Sequence, residues 1–468
     1  LTGEHLTPPD PALAGRLREV EREIFARRPE DAIEPSLERI SALATLLGDP
    51  QRACPVIHIT GTNGKTSTAR MIESLLRARG LRTGLYTSPH LSSVRERICV
   101  DGEPLPPQTF VATYEELSPY LALVDGSGPV HLSFFEVLTA MAFAAFADAP
   151  VDVAVIEVGL GGTWDATNIA DGAVAVVTPV AIDHTFYLGS TIGQIATEKA
   201  GIIKPGAVVI CGQQPLEAAE VLLHRVAGTG ATLAREGLEF GVAGRELAVG
   251  GQVLTVQGLG GAYHGLMLPM FGEYQAANAA CAVAAVEAFA SGGPGGAPLD
   301  EDLLRRALAA MTSPGRLEVV RRSPVVIADS AHNPSGMAAS LAAVTEAFSF
   351  QSLIGVLAVS ADKDVPAILG ELEPVADQLV VTRNSSARSM DPGKLGDLAA
   401  GMFGQDRVWA ADRLDDAIEI AVGLADEAAG DRPGGAGVLV TGSVVTAGNA
   451  RRLLGAPGEA TGGGAGRA

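Results

Sequence analysis

At 468 residues the chain exceeds the ~250 to 300 at which single hydrophobic cores stop growing, so two domains are expected. Its net charge of −20 opposes the approach of nucleic acid or of an anionic membrane surface, and any polyanion it handles needs cations and helix N-termini gathered in one place. The hydrophobic fraction is 47% but aromatics are only 4%, which implies α/β cores packed from Ala, Val, Leu and Ile.

The segments Leu1 to Pro11 and Gly455 to Ala468 are rich in Gly, Pro and small residues and are expected to be poorly ordered. No basic-then-apolar leader opens the sequence, and Cys54, Cys99, Cys211 and Cys281 are scattered with no CxxC spacing. A reducing, cytoplasmic setting is the expectation. Between the ends, β-branched runs such as Val56 to Thr60, Val151 to Val158, Val174 to Val177 and Ala207 to Cys211 alternate with Ala- and Leu-rich helical stretches. That alternation predicts βαβ units and a mainly parallel sheet. The apolar run Val137 to Ala147 is about half of the ~20 residues needed to span a bilayer.

The first run feeds the turn GTNGKTS and then an amphipathic stretch, which is the arrangement of a phosphate-binding loop at a helix N-terminus. Gly61 and Gly64 let backbone N–H groups approach phosphate oxygens, Lys65 supplies a point charge, and Thr66 or Ser67 a hydroxyl. The loop is shorter than the usual P-loop, with Ile59 where the first glycine is normally found. Only five of the 34 basic residues are lysines (Lys65, Lys199, Lys204, Lys363, Lys394). A sequence that otherwise uses arginine keeps lysine at this turn, where its compact charge or a neutral amine has a use.

Further along, VDVAVIEVGLGGTWDATN carries Glu157 at a strand end, a place that points into the ligand crevice of an open α/β sheet and suits a Mg²⁺ ligand. The next strand delivers Asp183 and His184, and a following helix carries Glu198 and Lys199. Leu238 to Val256 reads as antiparallel hairpins decorating the first domain, a helix is expected over Glu273 to Ala290, SGGPGGAP is a loop, and TSPGR breaks the pattern. Strands at Val325 to Ala328, Leu353 to Val359, Leu379 to Thr382 and Val438 to Thr441 then build a second α/β domain. The expected division is 1–315, a P-loop-type parallel-sheet domain with a small antiparallel addition, and 316–468, a Rossmann-like domain.

Taken in order, GTNGKTS, YTSPHLSSVRERI, EVGLGGTWDATN, AIDHTFYLG with IATEKAGIIKPG, GEYQAANA, SPGRLE and DSAHNPSG resemble the motifs of folylpolyglutamate synthase and dihydrofolate synthase, a branch of the Mur ligase family. The resemblance implies ATP contacts from Gly61, Thr62, Asn63, Gly64, Lys65, Thr66, Ser67, Asn278, Arg316, Asp329 and His332. It implies two Mg²⁺ ions, with Ser88, Glu157 and His184 as ligands and a carbamylated Lys199 supporting the second, and it admits K⁺ as well. Lys65, Glu157, His184 and Lys199 are the implied catalytic set. The pteroyl-bearing substrate is assigned to Ser133, Phe134, Phe135, Glu136, Trp164, Asp165 and Ala166, although Phe134 and Phe135 read equally as helix core and AHNP as a helix cap.

The implied reaction is ATP-dependent, ADP-forming addition of L-glutamate to dihydropteroate, a reduced folate, or both, through an acyl phosphate guarded from water by closure near Ser313 to Arg316. A cell-wall ligase acting on a UDP-linked muramyl substrate shares GTNGKT, but TSPHL with ERI favours folate. Thr163 stands where the family often carries Arg, and SPGR and DSAHN replace LPGR and DGAHN. The remaining partners implied are small molecules, and a monomer is expected.

Overall fold

The computed structural model describes residues 10–29, 34–293, 295–429 and 435–455. The expectations for the two chain ends therefore lie almost wholly outside the described residues. The exceptions are Asp10, which caps the helix Pro11–Phe25 by accepting from Ala12 N, Pro11, the first residue of that helix, and Gly455, whose N–H donates to Arg452 O.

The chain divides into two compact units, Leu1–Ala243 with Thr255–His264 and Ala277–Leu308, and Gly244–Leu254 with Gly265–Ala276 and Ala309–Ala468. In the first, strands β1 (Val56–Thr60), β2 (Thr83–Tyr86), β3 (Ile98–Val100), β4 (Glu103–Pro104), β5 (Val153–Glu157), β6 (Gly172–Val177), β7 (Val208–Cys211) and β8 (Thr232–Arg235) form one sheet in the order β4-β3-β2-β5-β1-β6-β7-β8. The six strands from β2 to β8 in that order run parallel, whereas at one edge β3 pairs antiparallel with β2 and β4 pairs antiparallel with β3. β1 and β5 are buried along their whole length, the burial expected of parallel strands covered on both faces. One cluster built on Val56, Tyr86, Phe110, Met141, Phe146 and Ile156, and another on Ala175, Val177, Ile195, Ile203 and Val209, pack this unit. The run Val137 to Ala147 falls in the buried helix Phe134–Asp148, and no described helix is long and apolar enough to cross a membrane.

A small sheet follows: β9 (Gly241–Ala248), β10 (Gly251–Gln257) and β11 (Ala262–Leu268), in the order β11-β10-β9. Connections this short between neighbouring strands force antiparallel pairing, as the sequence suggests. It extends past the expected end at Val256, to Leu268, and its residues are divided between the two units. The second unit holds β12 (Glu318–Arg322), β13 (Val325–Ala328), β14 (Ser352–Leu357), β15 (Gln378–Val381), β16 (Val408–Ala410) and β17 (Ala436–Thr441), ordered β12-β13-β17-β14-β15-β16 and parallel except for β12. Its core gathers Ile327, Leu341, Leu353, Leu357, Leu369, Leu379, Leu395 and Leu439.

Candidate active site

In the first sheet β2, β5, β1 and β6 lie side by side and parallel, so their carboxyl ends open onto one edge. β1, the earliest in the chain, sits between strands that come later in the sequence, and such an order change leaves a crevice for a ligand. The four ends deliver Ser88, Glu157, the loop 61–67 and the segment Thr178 to His184 respectively.

The loop at the end of β1 is shaped by two glycines in the left-handed half of backbone space. Gly61 has φ +143°, and a Cβ there would lie 1.9 Å from Thr178 Oγ1; Gly64 has φ +89°, and a Cβ would lie 2.5 Å from Asn278 Oδ1. Asn278, on the helix Glu273–Ser291, therefore packs directly against the loop. The helix Lys65–Ala78 begins at Gly64 with no side-chain cap, and a helix N-terminus is the kind of place that binds an anion. Thr62 fastens the loop to the adjacent strand end: its N donates to Pro179 O, and its hydroxyl donates to Ala181 O and accepts from Ala181 N, each at 3.0 Å. Lys65 Nζ folds back over the loop, donating to Gly61 O (3.2 Å) and Thr62 O (3.1 Å).

Glu157, 1% exposed, joins three elements. It accepts from Thr66 Oγ1 at 2.9 Å and from Ser88 N at 3.3 Å. Lys199, near the end of the helix Ile192–Ala200 and 3% exposed, donates from Nζ to Gly61 O at 2.7 Å. Burial pulls its pKa down to about 7, the Lys65 charge pulls the same way, and Asp183 and Asp165 oppose them. His184 adopts φ 49°, ψ 41°, a costly conformation for a residue with a Cβ, and enters the short helix Thr185–Leu188. Its N–H donates to Asp183 Oδ1 at 2.8 Å, and its Nε2 lies 3.9 Å from Asp183 Oδ2.

No group of three or more His, Cys, Asp or Glu able to hold a metal occurs among the described residues. Mg²⁺ does not require one, because it typically takes one or two carboxylates and completes its shell with water and substrate phosphates. Glu157 beside the Thr66 hydroxyl and Ser88, facing a glycine-shaped anion loop, fits that pattern.

The residues assigned to the pteroyl-bearing substrate divide. Ser133 caps the helix Phe134–Asp148 in a reciprocal box, accepting from Glu136 N while Glu136 Oε2 accepts from Ser133 N at 2.8 Å, and Glu136 also takes Arg39 Nε at 3.1 Å. Phe134 is core, stacked on Phe25 at 5.2 Å with the Arg97 guanidinium 5.0 Å from its ring centre. Asp165 is 3% exposed and accepts from Leu160 N, Thr167 N and the Thr167 hydroxyl, and Ala166 is buried in the core. Phe135, beside Tyr86 and Gly159, and Trp164, beside Gly161, are half-buried. Pro179 and Ala181, which hydrogen-bond Thr62 of the loop 61–67, have no distinguishing sequence signal.

In the second unit Asp329 follows β13 and is 2% exposed, accepting from Leu317 N, Ala331 N and Ser340 Oγ. Ser330 Oγ donates to Gly315 O at 2.7 Å, so the loops carrying Arg316 and His332 are pinned to each other. His332 Nδ1 lies 2.9 Å from Ser330 O. Asn333 caps the helix Pro334–Ala347, so the capping reading of AHNP holds for the asparagine.

The Mur ligase middle domain matches residues 59–286, and the Mur ligase glutamate ligase domain matches residues 315–444. Dihydrofolate synthase/folylpolyglutamate synthase of Mycobacterium tuberculosis is 52% identical over 466 residues, covering 96% of each chain. The solved structure of Mycobacterium tuberculosis folylpolyglutamate synthase complexed with ADP and AMPPCP superposes with a TM-score of 0.90 at 52% identity, covering 95% of this chain and 99% of that one. An FPGS–AMPPCP–folate complex superposes with a TM-score of 0.80 at 33% identity, over 94% and 99% of the two chains.

Proposed function

The chain belongs to the Mur ligase family, in its dihydrofolate synthase/folylpolyglutamate synthase branch, and we propose that the crevice of its first unit joins a pteroyl-type carboxylate to L-glutamate through an acyl phosphate. The activity is ATP-dependent and bifunctional, acting on dihydropteroate and on reduced folates. The observation that carries the site assignment is a pair of junctions on one loop: Lys65 and Lys199 both donate to Gly61 O, and Glu157 accepts from Thr66 and from Ser88.

A carboxylate resists attack by an amine because oxide is a very poor leaving group. In the proposed first step a carboxylate oxygen of the acceptor attacks the ATP γ-phosphorus in line, the bond to the bridging oxygen breaks, and ADP leaves. Lys65 and the open first turn of its helix bind the phosphates and hold the transferring group in place. Glu157, the Ser88 hydroxyl and His184 would hold Mg²⁺, which supplies charge neutralisation at the phosphates when bound. In the second step the uncharged glutamate α-amine adds to the acyl carbon, the carbon–oxygen bond to phosphate breaks, and the nitrogen loses its proton, leaving an amide and inorganic phosphate.

Lys199 is proposed to carry a carbamate, formed when its neutral Nζ adds to CO₂ and loses a proton; its burial against Gly61 O supports a readily discharged amine. Contacts of Gly61, Thr62, Asn63, Gly64, Thr66, Ser67 and Asn278 with the nucleotide follow from their place in or against the loop. Those of Arg316, Asp329 and His332, the acceptor contacts of Phe135 and Trp164, a K⁺ ion, and the functional division at 315/316 rest on sequence likeness.

The test incubates pure protein with ATP, Mg²⁺ and L-glutamate plus dihydropteroate or tetrahydrofolate, and weighs the products. A gain of one glutamyl residue with each acceptor is expected, alongside ADP. ADP release with no glutamylated product from either acceptor would overturn the reading.

A further inference from the structure

His58 is the middle residue of β1, fully buried, and three positions ahead of Gly61. Its Nε2 lies 2.9 Å from Thr167 Oγ1, and the Thr167 hydroxyl donates to Asp165 Oδ1 at 2.5 Å. Asp165 accepts in addition from Thr167 N at 3.0 Å and from Leu160 N at 2.9 Å. The two backbone bonds draw the Gly159 to Thr167 loop into a ring closed on one carboxylate. Burial pushes the Asp165 carboxyl up, and the hydrogen bonds it accepts from Thr167 and Leu160 oppose that shift; in its ionised form Asp165 can only accept, so the Thr167 hydrogen points to it and a Thr167 lone pair faces the imidazole. His58 then carries its proton on Nε2, and its Nδ1 is left buried with no partner.

An unpaired buried ring nitrogen costs free energy comparable to a lost hydrogen bond, and an apolar side chain would fill the middle of a buried strand without that cost. The imidazole therefore works against local stability and is accounted for by what it holds. It is no proton carrier, since burial, with the Lys204 charge adding, pulls its pKa down to about 3 and keeps the ring neutral through the physiological range.

We propose that His58 is a positioning residue, which through the Thr167 hydroxyl and Asp165 ties β1 to the loop after Glu157 and fixes that loop in the form that receives the pteroyl-bearing acceptor. The inference rests on the reading of Trp164 to Ala166 as part of the acceptor site. Under it, Asp165 serves substrate binding from within the loop, by setting where Trp164 stands.

The experiment measures ADP release by the wild type, Thr167→Val, Thr167→Ser, His58→Leu and the His58→Leu/Thr167→Val pair, varying tetrahydrofolate and ATP separately, with thermal melting of each. Absence of acceptor-dependent turnover in the wild type would sink the reading of the acceptor site itself, independently of His58. With the wild type active, Thr167→Val is expected to raise the acceptor KM about tenfold while the ATP KM moves less than about twofold. Thr167→Ser, which keeps the hydroxyl, should bring the acceptor KM back, and adding His58→Leu to Thr167→Val should change the KM no further, because the chain is already broken. Should Thr167→Val alone not fold, the paired variant, which replaces both buried polar partners by apolar groups, carries the same KM comparison. An unchanged acceptor KM, a parallel rise in both KM values, failure of Ser to rescue, or failure of both Val-containing variants to fold would each overturn the proposal.

Discussion

Lys65 and Glu157 stand at opposite ends of one short chemical path, the first donating into the phosphate loop and the second taking the Thr66 hydroxyl that opens the adjoining helix. In the proposed mechanism Lys65→Ala removes the fixed charge beside the transferring phosphoryl group, and Glu157→Gln the negative charge a divalent ion would need. Each is expected to lower kcat by at least about 10²-fold with little change in melting temperature; a purified, folded variant with near-normal ADP release would remove that residue from the mechanism. Lys199 makes a prediction of a different kind. Its pKa falls from 10.5 in the unfolded chain to about 7 in the folded one, so between those values the unfolded state binds the extra proton and stability rises with pH; below about 7 both states are protonated and the contribution is at its lowest. Lys199→Met should therefore flatten the rise in melting temperature between pH 7 and 10 in CO₂-free buffer, while losing turnover. A wild-type melting temperature with the same pH slope as the variant would show that the amine is not neutralised by burial.

Element by element, the parts most readable from sequence are those whose residues all obey one rule. β1 and β5 are continuous apolar runs, and both were expected within two residues of where they lie. The strand end carrying Glu157 follows, because a polar residue closing a buried run has only the crevice to enter, whereas His184 lies beyond the end of β6 at Val177, in the segment that leads into the helix Thr185–Leu188. β3 and β4 are three and two residues long, too short to show a period, and they owe their existence to pairing, β3 with β2 and β4 with β3. Ser133 and Glu136 show a different limit. Their S-x-x-E spacing signals a capping box as well as a substrate motif, and in the fold each accepts a backbone N–H from the other's residue. The His58 to Thr167 bond spans 109 positions, and nothing in either segment advertises the other. The capping reading makes its own prediction: Ser133→Ala should destabilise the first unit by about 1 kcal/mol while leaving the acceptor KM near the wild-type value. A large rise in that KM at unchanged melting temperature would return Ser133 to the substrate site.

At the scale of the whole molecule, each unit has its own sheet and its own core, so unfolding need not be a single cooperative event, and calorimetry of the free protein is expected to resolve two transitions. A ligand that binds only folded protein stabilises whatever it touches, by about 2.7 kcal/mol at a hundred times its Kd. A non-hydrolysable ATP analogue with Mg²⁺ should raise the transition of the first unit, and Lys65→Ala should abolish that rise. The roles assigned to Arg316, Asp329 and His332 add that the second transition moves with the first. Asp329 is committed to holding Leu317 N, Ala331 N and Ser340 Oγ, so its replacement would disturb the second unit whether or not nucleotide is present. Arg316 is the cleaner probe. Arg316→Ala should leave both transitions of the free protein in place and remove only the nucleotide-dependent shift of the second. If the analogue moves the first transition alone in the wild type, the second unit makes no contact with the nucleotide that contributes to binding, and all three assignments fall together.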